Sequence, residues 1–214
     1  MTSEEKLRRL EVLCRLAKEY PGSAKDLCEL EFSSPFQLLV ATILSAQCTD
    51  ERVNMVTREL FVKYPSPDAL AAAEIAELEA IIYPTGFFHN KAKSLIGMAQ
   101  ALQARDGMVP KVMSDLTKLP GVGRKTANVV LSVAFGLPGL PVDTHVVRLS
   151  GRLGLTSSSD PVQIEKDLLS WVPPQETGAL SLRLILHGRR VCKARRPDCA
   201  HCVLFDLCPS AGTI

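Results

Sequence analysis

Apolar residues recur along the chain at the three- and four-residue spacing that is typical of amphipathic helices. The first such segment follows a Thr2-x-x-Glu5 pattern, which is common at helix starts. Its regularly spaced apolar positions are Leu7, Leu10, Leu13, Leu16 and Tyr20. A second segment, opened by Ser34 and Pro35, is apolar on nearly every face from Phe36 to Leu44. This pattern predicts a central, buried helix.

Further helices are predicted between short connectors that contain proline or glycine. They cover residues 51–64, 68–82, 90–105, 114–119 and 126–135, a segment from about 144, a segment opened by Asp160-Pro161, and residues 179–191. No segment shows the alternating pattern of a strand, and no internal repeat or long linker interrupts the chain. We therefore expect an all-α protein.

The stretch 119–128, with the sequence LPGVGRKTAN, is predicted to form a tight turn that opens into a helix. Gly121 and Gly123 would allow positive φ angles and a close backbone approach to a ligand. The first N–H groups of the following helix have no partner in that helix and favour an anion. The stretch thus predicts a helix-hairpin-helix that binds a nucleic-acid backbone, with a plain helix–helix connector as the alternative.

Charge is nearly balanced over the 214 residues, with a net charge of +2, so a polyanionic partner must be argued from local clusters. Residues 183–196 carry six basic side chains and no acidic one, whereas residues 68–79 are acidic and lack bases. The N-terminal segment does not have the pattern of a signal peptide, and no stretch has the apolar length of a membrane span. We expect a cytoplasmic protein.

Seven cysteines in a reducing compartment argue against disulfides. Four of them, Cys192, Cys199, Cys202 and Cys208, have the spacing C-x6-C-x2-C-x5-C near the end of the chain. Four thiolates in a short loop indicate a metal site, and this spacing favours an iron–sulfur cluster while zinc stays open. The other three, Cys14, Cys28 and Cys48, are expected to be small buried hydrophobic residues.

Two further residues have the chemistry of a catalytic site. Lys125 lies in the first turn of the helix after the glycine turn, where the helix dipole and partial desolvation would favour a neutral, nucleophilic amine. A solvated lysine that contacts phosphate is the alternative. Asp143 is predicted to cap the helix that starts at Thr144, and its carboxylate could also accept a proton or stabilise positive charge.

Four motifs together resemble the endonuclease III family of DNA glycosylases and apurinic/apyrimidinic lyases. They are LPGVGRKTANVV at 119–130, VDTH at 142–145, LSAQCTD at 44–50, and LHGR at 186–189 before the cysteine loop. The resemblance spans nearly the whole chain. It implies two helical domains with a cleft between them, namely residues 27–137, which carry the hairpin at about 114–135, and residues 1–26 with 138–214 around the cluster.

The resemblance also implies roles for individual residues. Lys125 would attack C1′ of a damaged nucleoside, Asp143 would be the catalytic carboxylate, and the four cysteines would bind a [4Fe-4S] cluster. Gln47 would fill the gap left by an extruded nucleotide, and Phe87 stands where some members place a leucine wedge. The implied DNA contacts are Gln47, Phe87, Gly121, Gly123, Arg124, Thr126, Lys193, Arg195 and Arg196.

The implied activity is removal of oxidised pyrimidines from double-stranded DNA by a monomer, with β-elimination at abasic sites through a lysine Schiff base. An adenine glycosylase is an alternative, although residues 36–47 lack the carboxylate that it would use. A non-catalytic iron–sulfur protein that binds DNA and senses redox state is another. Only the enzyme with a Schiff-base lysine predicts a covalent adduct after borohydride reduction.

Overall fold

A computed structural model describes residues 2–213, and this part of the chain is helical without a β-strand. The α-helices are α1 (Ser3–Glu19), α2 (Pro35–Leu44), α3 (Asp50–Lys63), α4 (Pro67–Ala71), α5 (Ile75–Ile82), α6 (Phe88–Gln103), α7 (Met113–Leu116), α8 (Arg124–Val129), α9 (Thr144–Arg152), α10 (Pro161–Leu169) and α11 (Thr177–Arg190). The all-α prediction is confirmed. None of the described helices has the length and apolar character that crossing a bilayer requires.

The chain divides into two compact units. One unit is the continuous segment Cys28–Phe135 and contains α2 to α8. The other combines Met1–Leu27 with Gly136–Ile214 and contains α1 and α9 to α11. We refer to them below as the hairpin unit and the cysteine unit, after the motifs that they contain.

Helix α2 forms the centre of the hairpin unit, as its apolar sequence predicts. Leu38, Leu39 and Leu44 are fully buried, and α2 packs against α3, α6 and α8. Its first turn has the predicted cap, because the Ser34 hydroxyl accepts a hydrogen bond from the Gln37 amide at 3.2 Å. The Gln37 side chain then accepts from the amide of Ser33 at 2.8 Å.

Two predicted helices of the hairpin unit differ from the observed ones. The segment 68–82 is two helices, α4 and α5, because α4 packs against α6 while α5 also packs against α3. Nothing in the Ala-rich connection predicts this break, which tertiary packing imposes. The segment 126–135 begins as α8 but continues as a π-helical turn, Val130–Ala134.

In the cysteine unit, α11 packs against both α1 and α9. Arg183 of α11 is buried and binds the backbone that follows α1. Its guanidinium donates to the carbonyls of Tyr20 at 3.1 Å and Gly22 at 3.0 Å, and it pairs with Glu176 at 2.7 Å. The carbonyls at a helix end lack partners within the helix, so the arginine satisfies them. Arg183 therefore does not belong to an exposed basic cluster, contrary to the expectation from residues 183–196.

Gly188 allows α9 and α11 to approach closely. A Cβ atom at Gly188 would lie 2.9 Å from Nδ1 and 3.2 Å from Cβ of His145, and 3.0 Å from Nη2 of Arg148. These separations are too short for van der Waals contact, so the His145 and Arg148 side chains, or α9 itself, would have to shift. This close approach gives a structural reason for the glycine in the LHGR motif.

We expect Gly188→Ala to destabilise the protein by about 1–3 kcal/mol, the usual cost of overpacking a tight contact. Gly151→Ala in α9 is the matched control, because a Cβ there meets no atom within 4 Å and alanine is the better helix former. Thermal unfolding followed by circular dichroism would measure both. An unchanged midpoint in Gly188→Ala would show that α9 does not depend on this approach.

Candidate active site and cysteine cluster

The glycine turn before α8 has the predicted position, but only one of its glycines needs a positive φ. Gly121 has φ of 76°, and a Cβ there would lie 2.7 Å from Cβ of Ser94. Gly123 has φ of −87° and ψ of 176°, which any residue can adopt, so the prediction of positive φ at both glycines is wrong. Gly123 instead leaves open space beside its Cα, where a ligand could approach the backbone.

Lys125 is the second residue of α8, which begins at Arg124. It lies in the first helical turn, as the sequence predicts, and its side chain is exposed. The expectation that Lys125 is partly desolvated is therefore wrong for this structure. Arg124 is also exposed and Thr126 is half-buried, so three polar residues follow the glycine turn on an accessible helix start.

Gln47 and Phe87 lie on two turns of the hairpin unit and share an uncommon backbone conformation. Their φ angles are 55° and 49°, in the left-handed region that residues other than glycine seldom adopt. Both side chains are exposed, and Phe87 is 64% exposed despite its size. They line one pocket together with Gly121 of the hairpin turn, so three of the predicted DNA-contacting residues meet there.

Lys91 lines the same pocket, although no sequence motif predicts a role for it. It is only 5% exposed, and its ammonium donates to the carbonyls of Leu44 and Thr85, each at 2.8 Å. Burial lowers the pKa of Lys91. The sequence does contain a signal, because Lys91 occupies the apolar stripe of α6 with Leu95, Met98 and Leu102.

Asp143 caps α9, as the sequence predicts. Its Oδ1 accepts hydrogen bonds from the amides of His145 at 2.8 Å and Val146 at 2.9 Å. Both bonds end on Oδ1, so Oδ2 takes no part in the cap. The residue is half-buried, and a carboxylate held by two amides in this way has a fixed orientation with one oxygen available for other contacts.

Helix α9 also holds the start of the cysteine loop through two arginines one turn apart. Arg148 donates from Nη2 to the carbonyls of Gly188 at 3.0 Å and Cys192 at 3.1 Å. Arg152 donates from Nη1 to the Cys192 sulfur at 3.3 Å and to the Lys193 carbonyl at 2.8 Å. The helix that Asp143 caps is therefore fixed directly to the first cysteine of the loop.

Helix α1 holds the other end of this loop. Arg8 donates to the carbonyls of Leu153 at 2.9 Å and Leu207 at 2.8 Å. Arg15 forms a two-point pair with Asp206, and its Nη1 also donates to the Val203 carbonyl at 3.1 Å. The short cysteine loop is thus held by arginines as well as by the fully buried Leu204, which belongs to the apolar core of this unit.

The four predicted metal ligands, Cys192, Cys199, Cys202 and Cys208, line one cavity together with His187 and Arg152. Within residues 2–213, no three His, Cys, Asp or Glu side chains lie close enough together to hold a single metal ion. Burial and the neighbouring cysteines raise the pKa of Cys202 and Cys208, so ionised thiols would need a cationic group in the cavity. Four cysteines that line one cavity have the donor chemistry of an iron–sulfur cluster.

His187 connects the cysteine loop to α1. Its Nε2 lies 3.3 Å from the Cys202 sulfur, and its Nδ1 lies 3.1 Å from the Tyr20 hydroxyl. A thiolate can only accept, so Nε2 carries the proton when Cys202 is ionised, and the Tyr20 hydroxyl donates to Nδ1. Desolvation lowers the pKa of His187 to about 4, in keeping with a neutral imidazole. This relay gives the histidine of the LHGR motif a structural role.

The remaining predicted residues differ in exposure. Lys193, Arg195 and Arg196 are exposed on the loop between the first two cysteines. Cys14 is exposed and Cys28 and Cys48 are half-buried, so the expectation of three buried cysteines is wrong. Burial still raises the pKa of Cys28 to about 11, which keeps this thiol protonated near neutral pH.

Two family models match the chain. Residues 40–174 match the HhH-GPD superfamily base excision DNA repair protein, and residues 192–208 match the iron–sulfur binding domain of endonuclease III. The helical hairpin and the cysteine loop therefore define a base excision DNA repair protein of the HhH-GPD superfamily with an iron–sulfur binding domain.

Comparison with similar proteins identifies the family within this superfamily. Endonuclease III of Synechocystis sp. is 53% identical over 211 residues, which cover 98% of this chain and 95% of the relative. A structure of a non-covalent endonuclease III–DNA complex is 42% identical, with a TM-score of 0.90 and coverage of 100% of this chain and 98% of the other. A trapped endonuclease III–DNA covalent intermediate, the estranged-adenine complex, has the same identity and TM-score, with coverage of 100% and 99%. The chain belongs to the endonuclease III family.

Proposed function

We propose that this protein is a DNA glycosylase and apurinic/apyrimidinic lyase that removes oxidised pyrimidines from duplex DNA. The observation that carries the proposal is the position of Lys125, exposed in the first turn of α8 directly after the glycine turn. The similar structure of a trapped covalent endonuclease III–DNA intermediate supports covalent chemistry. The protein would act as a monomer on cytoplasmic, nucleoid DNA, with the two units as its two domains.

The DNA backbone would be bound without reading its sequence. The glycine turn and the start of α8 present amides, and Gly123 leaves room for a phosphate. Arg124 and Thr126 would add side-chain contacts, as would Lys193, Arg195 and Arg196 on the cysteine loop. Gln47 and Phe87 would enter the base stack, where an exposed aromatic ring can part a base step and Gln47 can occupy the gap.

The covalent step would use the unprotonated amine of Lys125. The amine attacks C1′, the bond from C1′ to the damaged base breaks, and the base leaves with the bonding electrons and takes up a proton. The lysine nitrogen then loses a proton, and the C1′–O4′ bond breaks while O4′ takes up a proton, which opens the sugar ring and converts the adduct to an imine. This imine acidifies the neighbouring carbon, so loss of a proton there expels the 3′ phosphate by β-elimination. Hydrolysis of the imine then returns Lys125 and leaves a nicked strand.

Borohydride should trap wild-type protein on a duplex with an abasic site, because it reduces the imine to a stable amine. We expect Lys125→Ala to give no adduct and no strand cleavage while it still binds the duplex. Lys118→Ala is the matched control, since Lys118 is an exposed lysine of the same hairpin, and it should retain trapping. A full adduct yield in Lys125→Ala would disprove the Schiff-base proposal, and wild-type protein that binds without any adduct would favour a non-catalytic DNA-binding protein.

Asp143 would assist this step through the oxygen that does not cap α9. Oδ1 is occupied by the amides of His145 and Val146, which leaves Oδ2 to accept a proton from the lysine or to stabilise the positive charge on the sugar. The half-buried position strengthens such an electrostatic contact relative to one in bulk water. One carboxylate can therefore both fix the helix start and take part in the chemistry.

Asp143→Asn separates these two roles, because asparagine caps helices about as well as aspartate but cannot accept the proton or carry the charge. We expect unchanged thermal stability and base excision slower by about 100-fold or more, within the range for loss of a general base. Single-turnover excision of an oxidised pyrimidine would measure this. Asp160→Asn, which changes another helix-capping aspartate in α10, is the matched control and should excise at the wild-type rate.

The cysteine loop would hold a [4Fe-4S] cluster through Cys192, Cys199, Cys202 and Cys208. The single Cys-x2-Cys pair in the loop and the match of residues 192–208 to the iron–sulfur binding domain of endonuclease III support a cluster over zinc. When bound, such a cluster supplies metal–thiolate bonds that close the loop and a one-electron redox couple. Arg152 and His187 would donate hydrogen bonds to the ligands Cys192 and Cys202.

Metal analysis of the purified protein should find about four iron atoms and about four sulfides per chain, with brown colour and little zinc. Cys199→Ala should reduce the iron content, since it removes one of the four ligands. Cys14→Ala is the control, because this exposed cysteine lies on α1 outside the loop, and its iron content should equal that of wild type. A colourless protein with one zinc per chain would overturn the cluster assignment without affecting the lysine chemistry.

A further inference from the structure

Lys91 joins two turns that the proposed function places in DNA. Its ammonium is buried and donates 2.8 Å hydrogen bonds to the carbonyls of Leu44 and Thr85. Leu44 is the last residue of α2, three residues before Gln47, and Thr85 lies two residues before Phe87. One charged group therefore connects the chain segments from which both candidate wedge side chains project.

Each of these contacts satisfies a carbonyl close to a left-handed residue. Leu44 ends α2, where carbonyls lack partners within the helix and carry the negative end of its dipole, so a cation there is stabilising. Thr85 is itself buried and is followed by Gly86 and Phe87, both with positive φ. Non-glycine residues persist in such conformations only when the surrounding structure holds them.

Lys91 is also one of the residues that line the pocket shared by Gln47 and Phe87. An ammonium has three N–H groups and two carbonyls account for two of them. A methylene chain alone would fill the space beneath the turns equally well. Packing alone therefore does not explain why the side chain at position 91 is charged.

We propose that Lys91 is a positioning residue that fixes the Gln47 and Phe87 turns relative to each other, so that both side chains enter a paired duplex together. The inference rests on the proposed function, because it concerns extrusion of the nucleotide before the chemistry. Lys91 touches neither the sugar nor Lys125 in this role. Its loss should therefore slow the opening of paired DNA and leave the reaction of an already unpaired abasic site unchanged.

The test compares Lys91→Met with Lys93→Met, which removes an exposed positive charge from the same helix. Borohydride trapping would be timed in single turnovers on two substrates, an abasic site in a fully paired duplex and the same site in a bubble of unpaired bases. We expect Lys91→Met to trap the paired substrate about 10- to 100-fold more slowly, the scale of a misplacement of about 1 Å, and the bubble substrate at the wild-type rate. Lys93→Met should match wild type on both.

A double-mutant cycle with Phe87→Ala tests whether Lys91 acts through the wedge. If it does, Lys91→Met should slow the trapping of the paired substrate much less in a protein that already lacks the Phe87 ring. The smaller change Lys91→Gln, which keeps one donor group for one carbonyl, should have an intermediate effect and serves if Lys91→Met does not fold. Additive losses in the cycle would overturn the proposal.

A readout that needs no chemistry separates this inference from the proposed function. A 2-aminopurine next to a stable abasic analogue brightens when its stack is opened, and we expect Lys91→Met to reduce this increase at saturating protein. Equal slowing on paired and bubble substrates with a lower unfolding midpoint would mean that Lys91 only stabilises the fold. If wild-type protein gives no adduct but still brightens the probe, the enzymatic proposal fails. The positioning role of Lys91 is then supported if Lys91→Met reduces the brightening and overturned if it does not.

Discussion

Backbone groups at helix ends have no partner inside their own helix, and within each unit polar side chains satisfy them. Asp143 accepts the first amides of α9, and Lys91 donates to the last carbonyl of α2. Arg183 donates to the carbonyl of Tyr20 at the end of α1, and Arg148 donates to the carbonyl of Cys192 just beyond α11. In a protein built from short helices, such ends are numerous, and polar residues that satisfy them are held in fixed positions.

In the proposed function, this constraint lets one residue both cap a helix and take part in the chemistry. A carboxylate that caps a helix has one oxygen held by amides and a defined direction for the other, which is the requirement for a catalytic base or an electrostatic contact. A lysine in the first turn of α8 has its backbone fixed by the helix while its side chain stays accessible. Rigid placement of this kind lowers the cost of bringing reacting groups together.

Local sequence patterns predict the parts of the fold that local interactions determine. The caps at Thr2, Ser34 and Asp143 are confirmed, as is the buried helix α2, because each depends on residues within one or two turns. The apolar composition of residues 36–44 is enough to predict a buried helix. The all-α class followed from the same periodicity.

Several features that local patterns do not predict depend on contacts between residues far apart in the sequence. The break between α4 and α5, the burial of Arg183 and the role of Lys91 all depend on partners that no local pattern displays. Gly123 shows a related limit, since a glycine can be present to leave space and not to allow positive φ. The position of Lys91 within the apolar stripe of α6 indicates that it is buried, but periodicity alone does not say what such a residue binds.

Burial also divides the basic residues into two groups with different consequences for DNA. Lys91 and Arg183 are buried and satisfy carbonyls, and Arg148 and Arg152 bind the cysteine loop, so these charges stabilise the fold. Lys193, Arg195 and Arg196 are exposed and remain available for phosphate. With a net charge of only +2, binding would depend on these side chains, on those at the start of α8 and on backbone amides. An enzyme that must act at any sequence is well served by contacts of this kind, because amides and phosphate-binding arginines position the duplex without selecting bases.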